Sequence, residues 1–170
     1  MKFKSASLFV CGLLCCLSST VWAQYVAEEP EWKESSVPPP PAFNVDKLVT
    51  FEVSPNSSLV FGVDPASISI SKSDGVVRYV MVAANASGAR NVMYEGIRCA
   101  TGEFKTYGRY SPEGRWNMVD NAEWRPLFGN MPSKHALRFA QAGACDNAGL
   151  PASVNVLVSR LKNPNFRTAQ

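Results

Sequence analysis

The sequence has 170 residues, 46% hydrophobic and 18% charged, with a net charge of +3. That balance gives a single domain enough apolar material for a core, and so small and interspersed a positive excess excludes the dense basic face of a nucleic-acid-binding surface. One histidine cannot complete a standard zinc ligand set, and no glycine-rich phosphate loop is present, so neither metal nor cofactor is expected.

At the N-terminus, Lys2 and Lys4 precede an apolar run over residues 6–17, and Val21-Trp22-Ala23 offers a cleavage site before Gln24. This pattern predicts a secretory signal peptide over residues 1–23. About 12 apolar residues are too few to cross a hydrocarbon core of roughly 30 Å as a helix, so no stable transmembrane segment is expected after cleavage. Cys11, Cys15 and Cys16 lack the small preceding residues of a lipidation site. The expected location is the periplasm or envelope of a Gram-negative bacterium. Cleavage removes those three cysteines and leaves Cys99 and Cys145, an even pair that in an exported protein predicts one structural disulfide.

Residues 24–46 carry Glu28, Glu29, Glu31, Glu34 and Asp46 against Lys33, and the prolines at 38–41 favour an extended polyproline II form. They read as a semi-rigid acidic leader before a single globular domain over 47–170, with Tyr25, Trp32 and Phe43 as anchors if the leader docks on a partner. In the domain, "KLVTFEV" at 47–53, the alternation "SISIS" at 67–71 and the two-sided apolar run "VVRYVMVAA" at 76–84 read as strands, the last as the central one. Ser73-Asp74-Gly75, Asn85 to Gly88, Ala100-Thr101-Gly102 and Ser111-Pro112-Glu113-Gly114 read as hairpin turns between these strands and those over 89–99, 103–110 and 115–119. An antiparallel sheet of five or six strands in sequence order follows. Beyond residue 130, Ser133 is placed to cap a helix burying Ala136, Leu137, Ala140 and Ala144 and ending near Gly143 to Cys145. Residues 151–162 fit a helix through Val154, Leu157, Val158 and Leu161, and also a strand through Val154, Val156 and Val158. Basic residues near the end and Asn163-Pro164 favour the helix. Strands followed by one or two helices make an α+β fold.

The search for chemistry yields no catalytic set. His135 stands at a helix start beside Lys134, with no Gly-x-Ser-x-Gly turn in the chain, and reads as a surface residue of the cap region. Glu95 and Glu103, on either side of a hairpin turn, are the candidates for a glycosidase-type carboxylate pair acting on envelope glycan. Their arginine and lysine neighbours favour cross-strand ion pairs instead. The binding signal lies in the Tyr, Trp and Arg residues between 94 and 125, types enriched at hot spots. Strand alternation puts Lys105, Tyr107 and Arg109 on one face as the candidate binding residues, with Phe104 and Tyr110 on the other.

The block "YVMVAANASGARNVMYEGIRCATGEFKTYGRY" at 79–110, with "GRW" at 114–116 and "EWRPL" at 123–127, resembles the cryptic neisserial protein family of small exported proteins from Gram-negative bacteria. The resemblance implies an envelope location and a domain without an assigned activity, and it carries over no catalytic or binding residues. Together these readings describe an exported binding or interaction module with an envelope protein or glycan as partner.

Overall fold

The computed structural model describes residues 31–163, 165 and 166. The expected signal peptide, and the start of the leader with Tyr25, lie outside the described residues. The described chain forms eight strands in one antiparallel sheet: β1 (Val49–Phe51), β2 (Leu59–Val63), β3 (Ser69–Ser71), β4 (Val76–Asn85), β5 (Arg90–Arg98), β6 (Glu103–Tyr110), β7 (Trp116–Met118) and β8 (Arg125–Pro126). Two helices, α1 (His135–Phe139) and α2 (Val154–Leu161), follow them, which makes the fold α+β.

The central strand is β4, buried from Val76 to Ala83, as its two-sided apolar sequence requires. The strand β2 has no counterpart among the expected elements, because "LVFGV" is short and follows a polar stretch. It pairs along one edge of β4 (Leu59↔Asn85 to Val63↔Met81), and β3 continues the same row (Ser69↔Arg78 to Ser71↔Val76). The interruption between them is a helical turn over Pro65–Ser67, capped by the Asp64 side chain on the Ala66 N–H. Ser67, expected inside a strand, leaves the ladder there, and its hydroxyl accepts from the Val80 N–H, so β4 loses no hydrogen bond where its neighbour strand breaks.

Alternation then builds two different faces. Val77, Tyr79, Met81, Met93, Ile97 and Phe104 face a core closed by Ala136, Phe139, Ala140, Leu157 and Leu161 of the helical segments. Val80, Val82, Val92, Tyr94 and Tyr107 face the opposite side, covered by Val37 and Phe43 of the leader together with Leu48, Tyr110 and Trp116.

The C-terminal segment departs from expectation in detail. Ser133 does not cap α1; Lys134 holds that position without a side-chain cap, and the Ser133 hydroxyl bonds the backbone and ring of His135. After Phe139 the helix widens into a π turn over Ala140–Ala144, where Gly143 adopts φ +128°. A Cβ at Gly143 would stand 2.7 Å from Arg160 Cβ, so glycine serves both the backbone geometry and the close approach of α2. Residues 154–161 resolve as helix, with Ser153 accepting from the Val156 N–H. Cys99, just past β5, is bonded to Cys145, just past the π turn, with their Cα atoms 5.6 Å apart; the pairing matches the expected disulfide and ties sheet to helices.

Candidate functional site

One face of the sheet is partly covered by the leader, and the helix side holds a cavity over buried polar groups. On the leader side, residues 32–43 lie across the strands. Trp32 donates its indole N–H to the Asp74 carbonyl and receives the Arg98 guanidinium over its ring at 3.8 Å, a cation–π contact. Glu34 accepts from Tyr107 Oη at 2.6 Å, Lys105 Nζ at 2.9 Å, Arg78 Nη2 at 3.1 Å and Trp124 Nε1 at 3.3 Å. Burial works against the Glu34 charge, and the hydrogen bonds from Tyr107 and Lys105 outweigh it, holding its carboxyl below the usual range. Asp74 behaves likewise: burial opposes ionisation, but the Arg78 guanidinium at 2.7 Å brings it down to about 2. Burial, and then the bond to Glu34, push the Tyr107 hydroxyl upward. Gly96 makes room for this arrangement, since a Cβ there would lie 2.5 Å from Tyr107 Oη.

The candidate binding residues Lys105, Tyr107 and Arg109 therefore do not share one face. Lys105 and Tyr107 meet the chain's own Glu34, while Arg109 lines a cavity on the other side with Thr106 and Glu95. The register explains the split: Tyr94 pairs with Gly108 but Glu95 pairs with Thr106, so Tyr107 is the extra residue of a β-bulge. One extra residue reverses the pleat parity of everything beyond it. Arg109 moves to the helix side, and Tyr110, expected opposite Tyr107, joins Tyr107 on the leader side.

On the helix side, the register Tyr79↔Glu95↔Thr106 sets a carboxylate between two hydroxyls on neighbouring strands. Glu95 is fully buried and accepts from Tyr79 Oη at 3.2 Å and Thr106 Oγ1 at 3.2 Å. Burial, and then the neighbouring Glu95 charge, hold the Tyr79 hydroxyl well above its ordinary value. His135 closes the group from the start of α1, with Nε2 3.0 and 3.1 Å from the Glu95 oxygens and Nδ1 3.0 Å from Ser133 Oγ. Its ring stacks on Phe61 and meets Phe104 edge-on. His135 is 8% exposed; the expectation of a surface histidine is corrected, because the sequence does not show that the chain brings α1 over Glu95.

Above this group opens a cavity of about 350 Å³, walled by Leu59, Phe61, Ala83, Met93, Phe104 and Met131, with Arg109 and Arg125 at its mouth. A larger hollow of about 710 Å³ runs along β1 from Leu48 to Ser54 and past Leu161. It lacks a convergent set of buried polar groups, so the smaller cavity is the better candidate site.

The sequence model of the CNP1-like family matches residues 27–162. The chain belongs to the CNP1-like family. It is 33% identical over 107 residues to cryptic neisserial protein 1 of Neisseria gonorrhoeae, a match covering 56% of this chain and 53% of that protein. The chain thus spans about half the length of that curated relative. No solved structure gives a significant match.

Within this CNP1-like domain the proposed carboxylate pair is not assembled. Glu103 bonds Thr101 and Arg98, shares no partner with Glu95, and does not line the cavity that Glu95 lines. The expected ion pairing is present for Glu103 with Arg98, whereas Glu95 pairs with histidine. Among the described residues no cluster of metal-ligating side chains occurs, and no helix is long and apolar enough to cross a membrane. Sequence reasoning missed the Glu95–His135 contact, 40 residues apart in the chain. The available signal is the chain's one histidine together with a glutamate flanked by Val92, Met93 and Ile97 in β5.

Proposed function

We propose that the protein is an exported envelope module that binds a small ligand in the cavity over Glu95 and His135. The observation that supports this reading is the convergence of apolar walls from β2, β4, β5 and β6 on one hydrogen-bonded polar group, the usual composition of a small-molecule site, whose volume is typically about 300–1,000 Å³. The opposite face is less suited to a diffusing partner around Glu34, which already engages Arg78 and Lys105 there. The disulfide is consistent with an oxidising compartment. The test is native mass spectrometry of the protein isolated from a Gram-negative periplasm, beside Leu59→Trp, which fills the cavity mouth from a half-exposed position. A bound small-molecule mass present in the wild type and lost in the variant is expected; identical spectra would count against the cavity.

A second reading rests on the contact chain Ser133–His135–Glu95, the residue types of a hydrolytic triad. In it Ser133 Oγ attacks an acyl carbonyl carbon and passes its proton to His135 Nδ1, and His135 returns that proton to the leaving group as the bond between acyl carbon and leaving group breaks. Ser133 lies only two residues from His135 and accepts from its backbone N–H at 3.3 Å, which describes a local turn equally well, so binding is the preferred reading. A fluorophosphonate adduct on Ser133 that His135→Ala abolishes would reverse that preference.

A further inference from the structure

Resting on the cavity reading above, we propose that the ligand is a single-chain amphiphile with an anionic head group, its apolar chain in the cavity over His135 and its head between Arg109 and Arg125. The walls set the chain: Leu59, Phe61, Met93 and Met131 are apolar, the polar side chains of Thr106, Ser133 and His135 are already bonded within the Glu95 group, and Asn91 alone adds a further neutral polar side chain, so most of a polar body would lose its hydration without compensation there. The floor does not take the head, because the Glu95 oxygens are already engaged by Tyr79, Thr106 and His135.

The polar end of the site lies at the mouth. A second cavity of about 310 Å³ shares Thr106, Arg109 and Arg125 with the first, and is otherwise lined by Val119, Asn121, Ala122 and Glu123. The two arginines therefore stand where an apolar space meets a polar one. Both are exposed, and neither guanidinium has an ion-pair partner among the described residues; Arg125 rests on the Phe104 ring at 5.0 Å. Arg109 stands there only because of the bulge at Tyr107. Two guanidinium groups against the single rim carboxylate of Glu123 select an anion over a cation, and their planar forks match a carboxylate or phosphate head.

Isothermal titration of the oxidised protein with decanoate, decanol and decylammonium, alongside flotation with anionic phosphatidylglycerol vesicles, tests the proposal. Decanoate is expected to bind the wild type, to be preferred over decylammonium, and to lose about tenfold or more in affinity in Arg109→Ala/Arg125→Ala. Decanol binding is expected to change little in that double variant, and Leu59→Trp to weaken both decanoate and decanol. Equal binding of decanoate and decanol, or full retention of decanoate in the double variant, overturns the anionic head; the cavity reading then stands if Leu59→Trp still weakens binding. Binding to vesicles without binding to decanoate overturns the single-chain ligand in favour of a membrane surface. Failure of every alkyl probe overturns this inference, and the cavity reading falls separately only if the native spectra of wild type and Leu59→Trp also agree.

Discussion

Glu95 is a carboxylate enclosed by three strands and a helix, and its position costs stability unless every donor around it stays in place. Tyr79 and Thr106 come from the strand register, but His135 comes from α1 and is the donor most easily removed. In His135→Ala the carboxyl loses one of its three partners inside a closed site, a loss of about 1–3 kcal/mol that grows if the group is charged. Urea unfolding is expected to show that loss, with Glu95→Gln/His135→Ala recovering part of it; a double variant no more stable than His135→Ala would argue against a demanding carboxylate. At this scale the sequence shows Glu95 and His135 as residue types and nothing of their meeting. The contact spans 40 residues, and local pattern carries no information about which helix start arrives over which strand.

Among the elements, the bulge in β6 has the largest consequence. Period-2 alternation from Lys105 puts Arg109 beside Tyr107, whereas the inserted residue sends Arg109 to the cavity and Tyr110 to the leader side. Glycine at 108 is no clear warning, since it also serves close packing, with a Cβ there 3.0 Å from Met118 Sδ. The hairpin turns, by contrast, are legible, because Gly75, Gly88, Gly102 and Gly114 all adopt the positive φ that their turn positions require. The link between sheet and helices rests on Cys99–Cys145, separated by 46 residues. Closing such a loop stabilises by roughly 4 kcal/mol in the chain-entropy picture. Replacing both cysteines with alanine is expected to lower the unfolding free energy by about that amount in urea titration; a change below about 1 kcal/mol would show that core packing alone holds α1 and the π turn on the sheet.

For the whole molecule, the proline-rich segment at 32–43 lies on the sheet through Trp32, Glu34, Val37 and Phe43. Its hold on the sheet depends on Glu34 and Asp74 remaining ionised, and both carboxyls lie below their ordinary values of 4.5 and 3.8, Asp74 at about 2. A lowered folded-state pKa gives stability that is present above the unfolded value and is lost as pH falls through the folded one. The clamp is therefore expected to hold above about pH 4.5 and to weaken toward pH 2. Tryptophan emission is a suitable monitor, because Trp32 and Trp124 pack edge to face in the clamp. In Glu34→Gln the acid transition should shrink, and an unchanged profile would place the acid sensitivity elsewhere. The sequence by itself determined the α+β class, the central strand and the hairpins, because turn chemistry and burial pattern act locally, and it pointed to the disulfide because Cys99 and Cys145 are the pair outside the expected signal peptide. Only the tertiary structure decided which face each binding candidate occupies, that the leader engages the aromatic face, and that the one histidine meets a buried glutamate. Those outcomes depend on one inserted residue and on contacts across 40 to 90 positions, distances over which chain sequence alone specifies no geometry.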